Sequence, residues 1–120
     1  MSKMIEVRAD SQEALEQIDD VLHDRWFDVD DVRFDEAGRF VQVPFRGQPK
    51  GTRRASDAKA LMLEIRHVEQ NVLKDTERIR FYDFNRLVFS RDSSTLRIET
   101  GIPLGLEMRV ARLDVRVFEP

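Results

Sequence analysis

Cysteine is absent from this chain of 120 residues, and its absence excludes several chemistries at once. Without cysteine the protein has no disulfide bonds, no thiol nucleophile and no thiolate ligands for zinc. Histidine is scarce too, because His23 and His67 are the only two imidazoles in the sequence. Enzyme chemistry that needs an imidazole base would therefore depend on one of these two side chains.

Long apolar runs and glycine-rich phosphate-binding motifs are also missing. No stretch approaches the ~20 apolar residues that a membrane-spanning helix needs, and residues 1–10 lack the apolar run and cleavage site of a signal peptide. We therefore expect a cytoplasmic protein that does not bind membranes. The segment 46–54 (RGQPKGTRR) has neither the Walker nor the GxGxxG spacing, and no GxSxG motif occurs. These absences lead us to expect no cofactor.

The charged residues are distributed unevenly, although the net charge is only −3. Residues 1–45 carry five basic and twelve acidic side chains, residues 46–59 carry five and one, and residues 60–120 carry ten of each. Sixteen of the twenty basic residues are arginine, which favours forked contacts with carboxylates and phosphates. A chain that is acidic overall is not an obvious nucleic-acid binder, although a local basic surface can act as one.

The apolar content fits one folded unit whose first strong element is a helix. Hydrophobic residues make up 41% of the chain, while 120 residues are too few for two ordinary domains, so we predict a single domain over residues 1–120. After a short strand at 3–8, Asp10 and Glu13 have the spacing of a capping box. A helix is predicted from Ser11 to Arg25. Its buried stripe comprises Leu15, Ile18, Leu22 and Trp26, and its solvated acidic face comprises Glu13, Glu16, Asp19, Asp20, His23 and Asp24.

Alternating residues between positions 32 and 45 predict a β-hairpin. Val32 and Phe34 precede a turn at Gly38, where we expect the positive φ of a tight turn, and the alternation resumes from Val41. The carboxylates nearby invite a metal-site hypothesis. Alternation, however, directs those at 28 and 30 to one strand face and those at 31 and 35 to the other. We therefore favour a solvated hairpin without a metal.

The segment that follows leaves two alternatives open. Residues 46–56 form a basic loop, and the stretch after it fits either secondary structure. Leu61, Ile65, Val68 and Val72 match a helical face, which would give a second helix at 57–73, whereas alternation of leucine and isoleucine over 61–65 matches a strand.

From residue 77 onwards, apolar and polar residues alternate in successive runs that predict antiparallel strands. The phase of this alternation slips at Ala111–Arg112, where we predict a β-bulge. The fold class is therefore α+β, with an N-terminal helix packed on a predominantly antiparallel β-sheet whose other face is wet. The predicted core comprises Leu15, Ile18, Leu22, Phe34, Val43, Phe81, Phe89, Ile98, Val110 and Val115.

The polar phase of the late strands gives the candidate binding surface. If the apolar phase faces the core, the opposite face collects a surplus of arginines beside a tyrosine, a set suited to carboxylates or phosphates. The candidates on this face are Arg80, Tyr82, Arg97, Arg109, Arg112 and Arg116, and those in the basic loop are Arg46, Lys50, Arg53 and Arg54.

Three functional hypotheses follow from these residues. The first, which we favour because no reactive constellation stands out, is a small non-enzymatic domain that binds a protein partner or a second copy of itself. The second is a nucleic-acid-associated protein that uses the basic loop and the sheet arginines. The third is an enzyme built around His67 and Glu69, which form a His-x-Glu pair that a strand would direct to one side.

Overall fold

The computed structural model of the chain describes residues 6–47, 60–75, 78–102 and 104–120. These residues contain a helix, α1 (Gln12–Leu22), and a 3-10 turn (Val29–Asp31). In chain order, the strands are β1 (Glu6–Ala9), β2 (Trp26–Asp28), β3 (Arg33–Asp35), β4 (Phe40–Phe45), β5 (Leu61–Ile65), β6 (Val68–Lys74), β7 (Phe81–Ser90), β8 (Thr95–Thr100), β9 (Gly105–Val110) and β10 (Val115–Phe118). The α+β class, with a helix on antiparallel strands, is confirmed.

The described strands form two antiparallel sheets, which corrects the expectation of one. The first sheet has the order β1-β10-β5-β4-β3 and the second has the order β2-β7-β8-β9-β6. Both sheets and α1 contribute to one cluster of buried side chains. Burial alternates along strands such as β4 and β9, so each sheet has an inner face on the core and an outer face towards solvent. Alternation in the sequence reports which side of a strand is buried, but not which sheet holds the strand.

The N-terminus of α1 is capped by a different residue from the one expected. The Ser11 hydroxyl accepts a hydrogen bond from the Ala14 amide at 3.2 Å, so Ser11 is the N-cap and Asp10 is not. Both residue types favour this position, and their adjacency left the sequence ambiguous by one residue.

The C-terminus of α1 lies earlier than predicted, at Leu22. Asp24 adopts the left-handed conformation, with φ of 63°, and the chain then enters β2 at Trp26. Trp26 therefore does not continue the helical stripe, and its ring instead packs edge to face with the Phe81 ring, with the ring centres 5.5 Å apart. Arg25, between the two elements, is nearly buried, and its guanidinium donates to the Gly47 carbonyl at 3.3 Å.

The predicted hairpin is confirmed as β3 paired with β4, with Phe34 opposite Val41. The left-handed residue in its turn is Arg39, with φ of 54°, rather than Gly38. Gly38 is needed for a different reason, since a Cβ added there would lie 2.5 Å from the Phe40 ring. The turn therefore selects glycine for close packing against an aromatic ring.

The second helix at 57–73 is wrong for the described residues, because 61–65 and 68–74 are strands; positions 57–59 lie outside them. The strand alternative prevails because Leu63 and Ile65 both reach the shared core while the intervening backbone pairs with β4 and β10. His67, with φ of 57°, turns the chain from the first sheet into the second. That turn resets the phase and makes 61–72 resemble a helical pattern.

The β-bulge predicted at Ala111–Arg112 is also wrong. The chain there leaves the second sheet at Val110 and joins the first at Val115. Backbone hydrogen bonds from the Ala111 amide to the His67 carbonyl and from the Arg66 amide to the Asp114 carbonyl, both 2.9 Å, hold the two crossing segments together. The slip in alternation marked a change of sheet.

A register irregularity in β7 explains why Phe81 does not belong to the core as predicted. It lies between Phe84 and Arg86, so Tyr82 faces inward before it and Leu87 faces inward after it. Phe81 is consequently 48% exposed, while Phe34 and Phe89 are partly buried. The predicted core residues that are buried are Leu15, Ile18, Leu22, Val43, Ile98, Val110 and Val115.

Candidate interaction surface

The structure divides the predicted arginine surface among several places. At one end of the molecule, Arg80 Nε lies 3.1 and 3.0 Å from the two carboxylate oxygens of Asp28. Asp28 is buried, not on a wet strand face as expected, and it also accepts from the Asp30 amide at 2.9 Å. The Arg80 guanidinium further lies 5.2 Å from the centre of the Phe81 ring. These contacts assign Arg80 a structural role in holding the 3-10 turn against β7.

Two further candidates, Tyr82 and Arg46, are engaged in contacts within the chain. Tyr82 is 1% exposed, and its hydroxyl donates to Asp75, so it belongs to the core and not to a solvent-facing surface. Arg46 Nη2 forms an ion pair with Asp31 at 2.9 Å. The remaining loop candidates, Lys50, Arg53 and Arg54, lie outside the described residues.

Arg116 lies on the outer face of the first sheet, in a hydrogen-bonded network around Glu64. Arg116 Nε donates to one Glu64 oxygen at 2.7 Å, and Gln42 Nε2 donates to the other at 3.0 Å. Burial acts to raise the pKa of Glu64, but the hydrogen bonds from Arg116 and Gln42 outweigh it and hold that pKa below its ordinary value. Arg116 therefore compensates a buried carboxylate and is not available to a partner.

Arg112 lies in the segment that crosses from β9 to β10, close to His67, the residue of the enzyme hypothesis. It lines a cavity of about 560 Å³ together with Arg8, Asp10 and Asp114, so two cations face two carboxylates. His67 Nε2 lies 3.2 Å from Asp114 Oδ2. The structure thus pairs His67 with Asp114 and not with Glu69.

Arg97 and Arg109 lie together on the outer face of the second sheet. This surface, called the arginine face below, comprises Arg86 and Val88 of β7, Arg97 and Glu99 of β8, Glu107 and Arg109 of β9, and Gln70, Val72 and Lys74 of β6. Its centre holds a shallow depression of about 400 Å³ at the β8, β9 and β6 strands. All of these side chains are exposed or half-buried.

Cations exceed carboxylates on the arginine face. Glu99 accepts from Arg86 Nε and also from Arg97 Nη2, the latter at 3.4 Å, so one carboxylate serves two arginines. The hydrogen bond from Arg86 is the main reason that the pKa of Glu99 lies below its ordinary value. Arg109 has no carboxylate within ion-pair distance in the part of the chain that the structure describes. With Lys74 included, four cations face two carboxylates.

Helix α1 borders this face along β7 and carries the opposite charge. Glu13, Glu16 and Asp20 are exposed on it, as predicted. Asp19 departs from that prediction, because its Oδ1 accepts from the Leu87 amide at 2.9 Å. Burial raises the pKa of Asp19, and the hydrogen bond from Leu87 opposes that effect.

A second hydrogen bond between a side chain of α1 and the backbone of β7 was not predicted from the sequence. Gln12 Oε1 accepts from the Phe89 amide at 3.0 Å, so two polar side chains of α1 bind the backbone of β7. Gln12 and Asp19 are seven residues apart, which places them on one side of a helix, two turns apart. That spacing is the signal by which they could have been grouped.

Comparison with known proteins gives no relative from which to infer a role: no protein-family model, no curated protein and no solved structure matches the chain. Among the described residues, no helix has the length and apolar character to span a membrane. Within those same residues, no group of three or more side chains of the metal-binding types is arranged to hold an ion.

Proposed function

We propose that the chain is a protein-interaction domain that binds an acidic protein surface through its arginine face. The observation that carries the proposal is the incomplete charge compensation there: Glu99 is shared by two arginines, while Arg109 has no carboxylate partner among the described residues. Guanidinium groups bind carboxylates through paired hydrogen bonds, and arginine is enriched in protein interfaces. No catalytic step is part of the proposal.

The arrangement of the other arginines supports this choice of surface. Arg80, Arg46 and Arg116 are each paired with a carboxylate of the same chain at 3.0 Å or less. A partner that recruited them would have to break those ion pairs, and in the case of Arg116 would leave the buried Glu64 without its main donor. Within the described residues, Arg109 and Lys74 have no such carboxylate partner to lose.

A protein partner is favoured over nucleic acid by the charges that surround the face. Glu99 and Glu107 lie within it, and the exposed acids of α1 border it along β7. Phosphate backbones are bound by continuous basic tracks, which these carboxylates interrupt. A protein surface with separate carboxylates can match such a mosaic residue by residue.

The test compares two double variants of equal charge. Arg97→Gln with Arg109→Gln removes the surplus positive charge of the arginine face while keeping long polar side chains. Arg8→Gln with Arg33→Gln is the control, because both residues are exposed and belong to the first sheet, on β1 and β3. Binding to poly-glutamate is measured by fluorescence anisotropy at low and high salt. We expect the first variant to bind roughly tenfold more weakly at low salt, with the difference shrinking as salt screens the charges.

Equal weakening by both double variants would show that only net charge matters, and the proposal would then be wrong. Duplex DNA is tested alongside as the competing ligand. If wild type binds DNA more tightly than poly-glutamate, with an affinity that falls steeply with salt, the nucleic-acid hypothesis replaces the present one.

A further inference from the structure

Strand β6 ends the second sheet, and one of its edges has no neighbouring strand in the described part of the chain. At its start, the Val68 amide donates to the Arg39 carbonyl at 2.8 Å. Beyond that bond, no backbone group of 69–74 has a partner on this side among the described residues. A strand of seven residues whose outer backbone groups are unpaired beyond its first residue is a template for another strand.

The direction of the free backbone groups follows from the neighbouring strand. The Val110 amide donates to the Ser94 carbonyl, on the β8 side of β9. Because backbone groups alternate along a strand, those of Arg109 and Glu107 point towards β6, where they meet Gln70 and Val72. The amides and carbonyls of residues 71 and 73 therefore point to the open edge.

We propose that two copies of the chain pair through β6, antiparallel, about a two-fold axis that passes beside Val72. The inference does not depend on the proposed function, because it concerns the edge of β6 and not the charge of the arginine face. In this register Val72 meets Val72 of the second copy, Asn71 faces Leu73, and Gln70 faces Lys74. Residues 71 and 73 then exchange four backbone hydrogen bonds across the axis, and the two sheets join into one.

The side chains of residues 70–74 favour this self-pairing. Val72 and Leu73 are 37% and 38% exposed, and both become covered by the second copy. No two like charges meet directly within 70–74, because Lys74 lies opposite a neutral glutamine. The pairing also begins after the register irregularity between Val68 and Gln70, so it uses only the regular part of the strand. Two-fold symmetry then satisfies both open edges at once, which a partner without an open edge could not do.

Among the described residues, the other edges of the two sheets lack this combination. The outer strands of the first sheet, β1 and β3, contain four and three residues. At the other end of the second sheet, Trp26 of β2 exchanges backbone hydrogen bonds with Arg46. Helix α1 covers the part of β7 that extends beyond β2. A long strand with an open edge and exposed apolar residues occurs at β6.

The test is the oligomeric state in sedimentation velocity over a range of protein concentrations. Wild type is expected to shift from monomer to dimer as concentration rises. Leu73→Pro removes an edge-facing amide without removing a hydrogen bond to β9, so it should weaken the dimer roughly tenfold, as the loss of two hydrogen bonds per dimer implies. Val72→Lys places two like charges on the axis and should abolish the dimer, while the lysine has Glu107 as its cross-strand neighbour in its own chain.

Ile102→Lys is the control, since Ile102 is also an exposed apolar residue but lies outside β6. It should dimerise like wild type, and thermal unfolding should verify that all three variants are folded. A wild type that stays monomeric at every concentration overturns the proposal, as does a Val72→Lys variant that dimerises normally. Leu73→Pro should keep its affinity for poly-glutamate, so that failure of the dimer and failure of the arginine face are separate results.

Discussion

The two edges of the second sheet differ in whether a neighbouring element covers them. Where β7 extends beyond β2, the helix α1 lies alongside, and Asp19 and Gln12 accept hydrogen bonds from the amides of Leu87 and Phe89. At the opposite end, the edge of β6 has no equivalent cover in the described residues. One sheet thus contains both a protected and an open edge, and the protected edge is covered by a neighbouring helix.

The difference extends to the side chains beneath the two edges. Leu87 is 1% exposed, whereas Leu73 is 38% exposed. Leu73 nevertheless stands opposite the buried Leu106 and is therefore on the inner side of its strand. The core thus continues under β7 but thins out under β6. We expect the β7 side to contribute most of the stability and the β6 side to be open to a partner.

The largest effect is expected from truncating leucine at each edge. Leu87→Ala should lower the free energy of unfolding by about 2–5 kcal/mol, because it leaves a cavity in the core. Leu73→Ala should change it by less than about 1 kcal/mol, since much of that side chain is already in water. Chemical denaturation of dilute protein measures both. Similar losses for the two variants would remove the energetic contrast between the edges.

A smaller effect is expected from removing one of the hydrogen bonds between α1 and the edge of β7. Asp19→Ala deprives the Leu87 amide of its acceptor and should destabilise the protein by about 1–3 kcal/mol. Asp20→Ala is the matched control, because Asp20 is exposed, and it should stay within about 0.5 kcal/mol of wild type. Hydrogen exchange at the Leu87 amide should accelerate in the first variant alone. Unchanged exchange there would mean that α1 does not protect β7.

The smallest effect concerns the charge of the Asp19 carboxylate. Burial raises the pKa of Asp19 in the folded state, so the folded protein binds the proton more tightly than the unfolded chain does. Its contribution to stability is therefore present at low pH and is lost as pH rises from the ordinary aspartate pKa to the raised one. Asp19→Asn keeps an oxygen acceptor and removes this dependence.

The stability of Asp19→Asn relative to wild type should thus improve between acidic and neutral pH, as measured by thermal unfolding across that range. Asp20→Asn serves as the control for a general loss of acidic charge on α1. A relative stability that declines with rising pH would contradict the assignment of Asp19 as a carboxylate disfavoured by burial.

Much of the fold could be predicted because its signals are local. The stripe of Leu15, Ile18 and Leu22 identified α1, and alternation around Phe34 and Val41 identified the β3–β4 hairpin. The errors in the order and phase of the later strands arose where the chain changes sheet or register, at His67, at 111–114 and between Phe84 and Arg86. At each place the alternation of apolar and polar residues shifts phase. The first shift was consistent with a helix over 57–73, the second with a β-bulge, and the third led to the prediction that Tyr82 is exposed.

The candidate surface was predicted only in part for a related reason. The sequence grouped its arginines by phase within successive strands, and that grouping holds for Arg97 and Arg109, which occupy neighbouring strands of one sheet. It fails for Arg116, which the crossing after β9 carries to the other sheet, and for Tyr82, which the irregularity in β7 turns inward. Whether an arginine is free also depended on distant carboxylates, such as Asp28 for Arg80.

By itself the sequence determined the absence of thiol chemistry, the helix α1 and the antiparallel strands, because composition and residue periodicity act over a few neighbouring positions. Only the tertiary structure decided that the strands divide into two sheets, which arginines lie within ion-pair distance of a carboxylate and which edge of the second sheet is covered. The hydrogen bond that Gln12 accepts from the Phe89 amide joins residues that are 77 positions apart. Hydrogen bonds of that reach depend on how the elements pack, so no local pattern contains them.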